Sequence, residues 1–154
     1  MGKVEIGSDG PGADWARARM AGARVARLAT VGDDGRPHLV PVTFSLDGDR
    51  VVTAVDHKPK SGTRLRRLRN VQVNPNVCVL VDHYDDDWTT LWWVRADGFA
   101  TVVERGDERI PELLTPLVMK YPQYRDRVPE GPVVVIEVTR YSGWSSLAVP
   151  DVTE

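Results

Sequence analysis

The sequence predicts a mainly β protein, a small barrel of six strands with flanking helices. Turn signals at Asp34-Gly35 and Asp47-Gly48 divide the first apolar segments into a three-stranded meander. Three further apolar segments follow along the chain and are typical of strands. An open sheet of this size would leave long apolar edges, so a closed barrel is the expected architecture.

The chain has the size and composition of one globular domain. It has 154 residues, of which 42% are hydrophobic and 27% are charged. The net charge of -2 gives no reason to expect nucleic acid or an anionic membrane as a partner. No apolar stretch approaches the roughly 18 residues that cross a bilayer, and residues 1–11 contain no apolar signal segment. We therefore expect a cytoplasmic protein.

The first half of the chain should contain one helix and three strands. Residues 1–12 are predicted to be a flexible lead-in, and residues 13–146 the folded domain. Small and apolar side chains recur at helical spacing over residues 14–25. The three strands are expected at residues 25–31, 37–46 and 50–55.

The second half should contain two helices and three strands. A short helix with a basic outer face is predicted over residues 61–71, and Asn74-Pro75-Asn76 ends it. A longer helix is expected over residues 105–121, and residues 147–154 are expected to be a tail. The strands are predicted at 77–82, 90–103 and 133–139, with an acidic loop at 82–87.

The segment 57–67 is the clearest candidate site, because it joins the third strand to the basic helix. A helix N-terminus has free backbone N–H groups, and the guanidinium group of arginine forms bidentate hydrogen bonds to phosphate or carboxylate oxygens. We therefore interpret the segment as an anion site, the alternative being a solvated basic helix face. RNA binding is less favoured because no aromatic residue interleaves with the cations. The candidate anion ligands are Lys58, Lys60, Ser61, Thr63, Arg64, Arg66 and Arg67.

Four tryptophans outside the first helix form a second signal: Trp88, Trp92, Trp93 and Trp144. Trp92 and Trp93 are neighbours on a predicted strand, so their rings should face opposite sides. One ring can fill the barrel while the other meets a dimer partner or a ring-shaped ligand; plain packing is the alternative. The single cysteine, Cys78, lies in an apolar run and is predicted to be a buried structural residue.

Sequence motifs for side-chain catalysis are missing. The three histidines have no Cys or Glu at metal-ligand spacing, and there is no nucleophile elbow, dinucleotide fingerprint or Walker loop. We therefore expect neither a catalytic side chain nor a metal. If the protein is an enzyme, a cofactor should carry the reaction.

Three segments, residues 27–42, 69–77 and 81–98, resemble the pyridoxamine 5'-phosphate oxidase-like split barrels. Within that family the chain looks most like the actinobacterial branch that uses coenzyme F420. The resemblance covers about residues 15–146. It implies a homodimer of six-stranded split barrels, the FMN-binding type, with the cofactor at the subunit interface.

The resemblance also implies roles for individual residues. The cofactor ring would be lined, largely through backbone, by Leu28, Ala29, Thr30, Pro41, Val42 and Thr43. The phosphate would be held by the basic turn, most readily through Lys58, Lys60, Arg64 and Arg67, with the hydroxyls of Ser61 and Thr63. Trp88 or Trp92 would approach the ring from the other subunit.

The implied activity is an F420-dependent oxidoreductase that transfers hydride to a small unsaturated or imine-like substrate. One alternative is a non-catalytic carrier of F420 or FMN. The other is an FMN-dependent enzyme of the pyridoxamine phosphate oxidase type. The oxidase proper is less favoured, because its substrate-phosphate residues are missing near the C-terminus, over residues 141–146.

Overall fold

A computed structural model describes residues 4–6, 10–55 and 64–147, which form a mainly β fold with flanking helices. The strands are β1 (Val4–Ile6), β2 (Ala26–Val31), β3 (Pro37–Val42), β4 (Ser45–Asp47), β5 (Arg50–Ala54), β6 (Asn76–His83), β7 (Trp92–Val103) and β8 (Val133–Ser145). The helices are α1 (Pro11–Gly22), α2 (Arg66–Val73), α3 (Ile110–Lys120) and α4 (Pro122–Asp126), with a 3-10 turn at Trp88–Thr90.

All the strand pairings are antiparallel and form one sheet in the order β3-β2-β6-β7-β8-β5-β4, with β1 paired to β8. The two end strands of this order, β3 and β4, are separated in the chain only by Thr43 and Phe44. The sheet must therefore curl until its two ends meet at that corner. This curled antiparallel sheet fits a split barrel, and the prediction of a mainly β fold with flanking helices is confirmed.

The predicted count of six strands is wrong. The segment expected as one strand, residues 37–46, is broken at Thr43 and Phe44 into β3 and β4. In addition, β1 lies within the segment predicted as a lead-in and pairs with β8. Apolar residues continue through the corner, so the hydrophobic pattern contains no sign of the break. The described sheet therefore has seven strands in its main order and β1 beside β8.

The end of the last strand also differs from expectation. β8 continues to Ser145, six residues beyond the predicted end, because it pairs with β7 as far as Trp92. The ladder between β7 and β8 shifts register between Asp97 and Gly98. A Cβ at Gly98 would lie 2.3 Å from the Glu137 carbonyl oxygen, so only glycine fits this close approach.

The buried apolar side chains form two clusters on opposite faces of the sheet. The larger fills the barrel and includes Leu28, Val79, Ile136 and Tyr141, all fully buried. The smaller lies beneath α3, where its apolar face covers outward-facing residues of β5 and β8. Alternate residues of one strand therefore enter different clusters, as the two-residue period of a strand requires.

The corner between β3 and β4 is held by side-chain hydroxyls rather than by strand pairing. The Tyr121 hydroxyl accepts from the backbone N–H of Phe44 at 3.2 Å and lies 2.8 Å from the Arg24 carbonyl, to which it donates. Thr53 donates to the Thr43 carbonyl at 2.7 Å. Because Phe44 is fully buried, its backbone groups depend on these bonds.

Lys120 packs against the same corner. Its Nζ lies 3.9 Å from the centre of the Phe44 ring and has no hydrogen-bond partner. Burial, aided by the positive charge of Arg24, lowers the pKa of Lys120 to about 8. The ammonium is therefore stabilised mainly by the aromatic ring.

A charged cluster fastens α1 to the barrel. Arg17 donates to the Asp49 carboxylate at 2.8 Å, and the Tyr141 hydroxyl donates to it at 2.9 Å. The Arg17 hydrogen bond holds the pKa of Asp49 below its usual range, whereas burial raises that of Tyr141. Asp49 thereby joins α1, the β4–β5 turn and β8.

None of the helices in the described parts of the chain is long and apolar enough to cross a membrane.

We expect Tyr121→Phe to lower the free energy of unfolding by about 1–3 kcal/mol, the cost of leaving a buried backbone group without a partner. Denaturant unfolding followed by circular dichroism measures the loss. Tyr84→Phe is the matched control, because Tyr84 is 60% exposed, and it should change stability by less than about 0.5 kcal/mol. Equal stability of the two variants would contradict this role for the Tyr121 hydroxyl.

Candidate functional site

Helix α2 closes one end of the barrel and is fixed to β2 by a buried amide. Asn70 Nδ2 donates to Thr30 Oγ1 at 3.0 Å, and both residues are nearly fully buried. A Cβ at Gly32 would lie 2.6 Å from Asn70 Oδ1, so the turn after β2 needs a glycine there. Leu68 and Val71 of the same helix enter the barrel core. The basic helix is therefore held in a fixed position beside the end of β2.

Two arginines near the start of α2 form ion pairs. Arg66 donates to Asp34 in the β2–β3 turn at 3.0 Å, and Arg64 donates to Glu104 through both of its terminal nitrogens, at 2.6 and 3.3 Å. The Arg36 backbone N–H, with Arg66, holds the pKa of Asp34 below its usual range. Arg64 Nε is buried and has no hydrogen-bond partner among the described residues.

Most of the predicted anion site lies outside the described residues. The structure does not describe residues 56–63, and this segment contains Lys58, Lys60, Ser61 and Thr63. Arg64, which follows this segment directly, and Arg67 are described, and both already interact with the protein. The assignment of a phosphate to this turn stays a prediction.

A groove of about 570 Å³ runs along the outer face of β2, β6 and β7. Strand register explains its composition, because residues paired across the sheet point to the same side. Ala29 is paired with both Leu39 and Cys78, and these three side chains form an apolar floor. The remaining lining residues are Arg27, Leu80, Asp82, Tyr84, Trp93 and Arg95. The apolar floor is chemically suited to the face of an aromatic ring.

Two features of the groove set its electrostatics. Asp97 lies between Arg95 and Arg140, 3.4 Å from each, so its charge is balanced beside the groove. Burial, with a contribution from Asp97, raises the pKa of the Cys78 thiol, which therefore stays protonated at neutral pH. Cys78 was predicted to be buried in the core; the structure instead places it half-buried in the groove floor.

The residues predicted to line a cofactor ring divide between the two faces of the sheet. Leu28, Thr30 and Val42 point into the barrel and are buried, so any contact with a ligand would involve their backbone. Ala29 lies in the groove, and Pro41 is exposed opposite Arg27 on the same face. Thr43 lies at the barrel corner, where its hydroxyl is 2.5 Å from that of Tyr124.

The predicted tryptophans do not share one site. Trp93 faces the groove, while Trp92 faces the other way and lines a second cleft beside α1. Trp88 is 77% exposed on a turn that the Asp87 side chain caps, and it lines neither opening.

Sequence reasoning missed several lining residues. The structure adds Arg27, Leu39, Leu80 and Trp93 to the residues beside Ala29. Two-residue alternation along each strand could have placed Arg27 with Ala29, and Cys78 with Leu80, on common faces. It could not have shown that β2 lies next to β6, since that pairing joins distant parts of the chain.

Over the described residues, no group of three or more His, Cys, Asp or Glu side chains could hold a metal ion. His38 and His83, the two histidines in the described ranges, therefore belong to no such group, and the acidic loop at residues 82–87 is exposed; His57 lies outside those ranges.

Comparison with known proteins identifies the family. The profile of the pyridoxamine 5'-phosphate oxidase family matches residues 14–145, which are most of the chain. The chain belongs to this family. Membership favours an oxidoreductase or a flavin-binding protein, with a flavin-type cofactor.

One relative is the 5a,11a-dehydrotetracycline/5a,11a-dehydrooxytetracycline reductase of Streptomyces rimosus. It is 43% identical over 56 residues, which are 36% of this chain and 38% of the reductase. The match therefore covers little more than a third of either protein.

Two solved structures share the fold. A heme-binding protein from Mycobacterium smegmatis superposes with a TM-score of 0.67 at 21% identity, covering 88% of this chain and 55% of that one. A FAD-binding protein from Mesorhizobium loti superposes with a TM-score of 0.64 at 19% identity, covering 93% and 97%. At these identities the likeness supports the split-barrel fold alone.

We expect Asn70→Ala to lower the free energy of unfolding by about 1–3 kcal/mol, because it leaves the buried Thr30 hydroxyl without a partner. Amide hydrogen exchange across α2 should also accelerate, since the helix loses its bond to β2. Gln72→Ala on the exposed side of the same helix is the control. Similar stability and exchange for the two variants would contradict the docking role of Asn70.

Proposed function

We propose that this protein is an F420-dependent reductase that acts as a cytoplasmic homodimer on a small unsaturated substrate. The groove on the outer face of the sheet carries the proposal. Its volume of about 570 Å³ lies within the usual range for cofactor pockets, roughly 300–1,000 Å³. Its floor of Ala29, Leu39 and Cys78 presents the flat apolar surface that a tricyclic ring needs.

The position of α2 supports the same assignment. Ala29 in the groove is the neighbour of Thr30, to which Asn70 of α2 is bonded. The basic segment 57–67 leads into α2, and α2 is bonded to the β2 residue next to Ala29. A cofactor with its ring in the groove and its phosphate on Lys58, Lys60, Arg64 or Arg67 would span this junction.

The chain would contribute binding and orientation rather than proton transfer. When bound, a deazaflavin supplies hydride from C5 of its ring. Leu39, Leu80 and Trp93 would exclude water from the ring face, and the backbone around Ala29 would fix its orientation. The Cys78 thiol would be an uncharged part of the groove floor, because its pKa is raised.

A second subunit would complete the groove. Leu39 and Tyr84, which line it, are 65% and 60% exposed, and Trp88 is 77% exposed. Apolar surface of this kind is usually covered by a partner. Trp88 would then approach the cofactor ring bound by the other copy.

Parallel titrations of F420 and FMN, read by fluorescence, test the cofactor assignment. Tighter binding of F420 is expected. Oxidation of reduced F420 by a panel of quinones, enones and tetrapyrroles then tests catalysis. Binding without turnover of any acceptor would favour a carrier, and tighter binding of FMN would favour the flavin enzyme.

Removing a phosphate anchor should weaken cofactor binding by roughly ten- to a hundredfold, since a charge-assisted hydrogen bond contributes about 1.5–3 kcal/mol. Lys60→Ala, Arg64→Ala and Arg67→Ala are tested separately, with F420 and with a fragment that ends at the phosphate. A variant impaired for both ligands contacts the phosphate, and one impaired only for F420 contacts its glutamate tail.

Two further variants complete this experiment: a control, and a variant that removes the protein's own partner of Arg64. Arg109→Ala is the control, because Arg109 pairs with Asp107 on the surface much as Arg64 pairs with Glu104. Glu104→Gln removes the carboxylate that competes for Arg64, so it should tighten binding if Arg64 holds the phosphate. Wild-type affinity in all of these variants would show that the basic turn is a solvated surface.

The dimer proposal predicts a mass of about twice 17.1 kDa in light scattering. Leu39→Glu should shift the protein toward monomer, because it places a charge in the covered groove. Met119→Glu, equally exposed at 70% but on α3, should leave the dimer intact. A wild-type monomer at micromolar concentration would overturn the proposal.

A further inference from the structure

A second cleft, of about 720 Å³, lies between the C-terminal end of α1 and the adjoining ends of β6 and β7. It adjoins the groove, because Arg27 and Asp82 line both openings. Its other polar or aromatic walls include Arg19, Arg24, His83 and Trp92. The proposed cofactor site leaves this cleft without a role.

The cleft carries an excess of positive charge. Arg19 and Arg27 line it, against the single carboxylate of Asp82, whereas the guanidinium of Arg24, a third lining residue, is bonded to the Lys120 carbonyl. Within the described residues, neither Arg19 nor Arg27 has a carboxylate at ion-pair distance, in contrast to Arg17 and Arg64. The C-terminal dipole of α1 is equivalent to only about half a charge, so with Asp82 it does not balance the two arginines.

One of these arginines is held in place by aromatic rings. The Arg19 guanidinium lies 5.0 Å from the Trp92 ring centre and 6.0 Å from that of Trp15. Stacking orients the planar guanidinium group while leaving its N–H groups free to bind an anion. Because Trp92 is only partly buried, its ring also gives the cleft a flat wall.

We propose that this cleft binds the acidic group of the substrate, and hence that the substrate is a planar organic acid, a carboxylate or an ionised enol. The inference rests on the proposed function, since it assigns the groove to the cofactor. Arg27 and Ala29 are two residues apart on β2, or about 7 Å. An acid held by Arg19 and Arg27 would thus place its reducible part over the neighbouring groove.

The test uses 2-naphthoate as the planar anion and 2-naphthamide as its uncharged isostere. Binding is followed through the indole N–H resonances of the five tryptophans, with Trp92 assigned from the Trp92→Phe variant. Naphthoate is expected to shift the Trp92 resonance and to bind at least tenfold more tightly than the amide. Equal affinities, or a shift confined to Trp93, would overturn the proposal.

Arg19→Gln and Arg27→Gln should each weaken naphthoate binding about tenfold and leave naphthamide binding unchanged. Arg50→Gln is the matched control, because Arg50 is a half-exposed strand arginine paired with Glu137 away from the cleft. Naphthoate binding that is insensitive to Arg19 and Arg27 would contradict the assignment.

A final arm separates this inference from the proposed function. Naphthoate should still bind at Trp92 when the protein is saturated with F420, and its displacement would assign the cleft to the cofactor instead. If neither F420 nor FMN binds while naphthoate binding still depends on the arginines, the proposed function fails and the anion cleft stands.

Discussion

Closure of the barrel depends on the corner at Thr43 and Phe44, where the chain passes from one end strand of the sheet to the other. Buried backbone groups there have no strand partner, and leaving one unpaired costs about 1–3 kcal/mol. The hydroxyl of Tyr121, the residue between α3 and α4, meets this need by bonding to Phe44. The curvature that gives the sheet its outer groove therefore depends on a side chain from a distant part of the chain.

The other end of the barrel shows the same dependence on one buried polar contact. Asn70 reaches Thr30 only because Gly32 leaves room for its amide. The contact fixes α2, and with it the end of the basic segment, relative to the groove.

The sequence predicted those features that local patterns encode. Asp34-Gly35 correctly marked the β2–β3 hairpin, and the helix expected over residues 61–71 is present as α2, although it begins at Arg66. Local patterns failed where long-range packing decides the outcome: Thr43 and Phe44 look like strand residues, and Cys78 looks like a core residue until β2 is known to lie beside β6. The groove could not be predicted for the same reason, since its floor combines the β2–β3 hairpin with β6, which is distant in the chain.

Strand β7 links the two proposed sites. Trp92 and Trp93 are one residue apart and face opposite sides, so one strand supplies a wall of the cleft and a wall of the groove. Both residues are paired with β6 and β8, which leaves β7 no freedom to slide. A register shift of one residue would exchange the two rings and destroy both walls. In the proposed function, the distance between an acid in the cleft and a ring in the groove would therefore be set by the sheet, and this fixed geometry would favour hydride transfer by orientation alone.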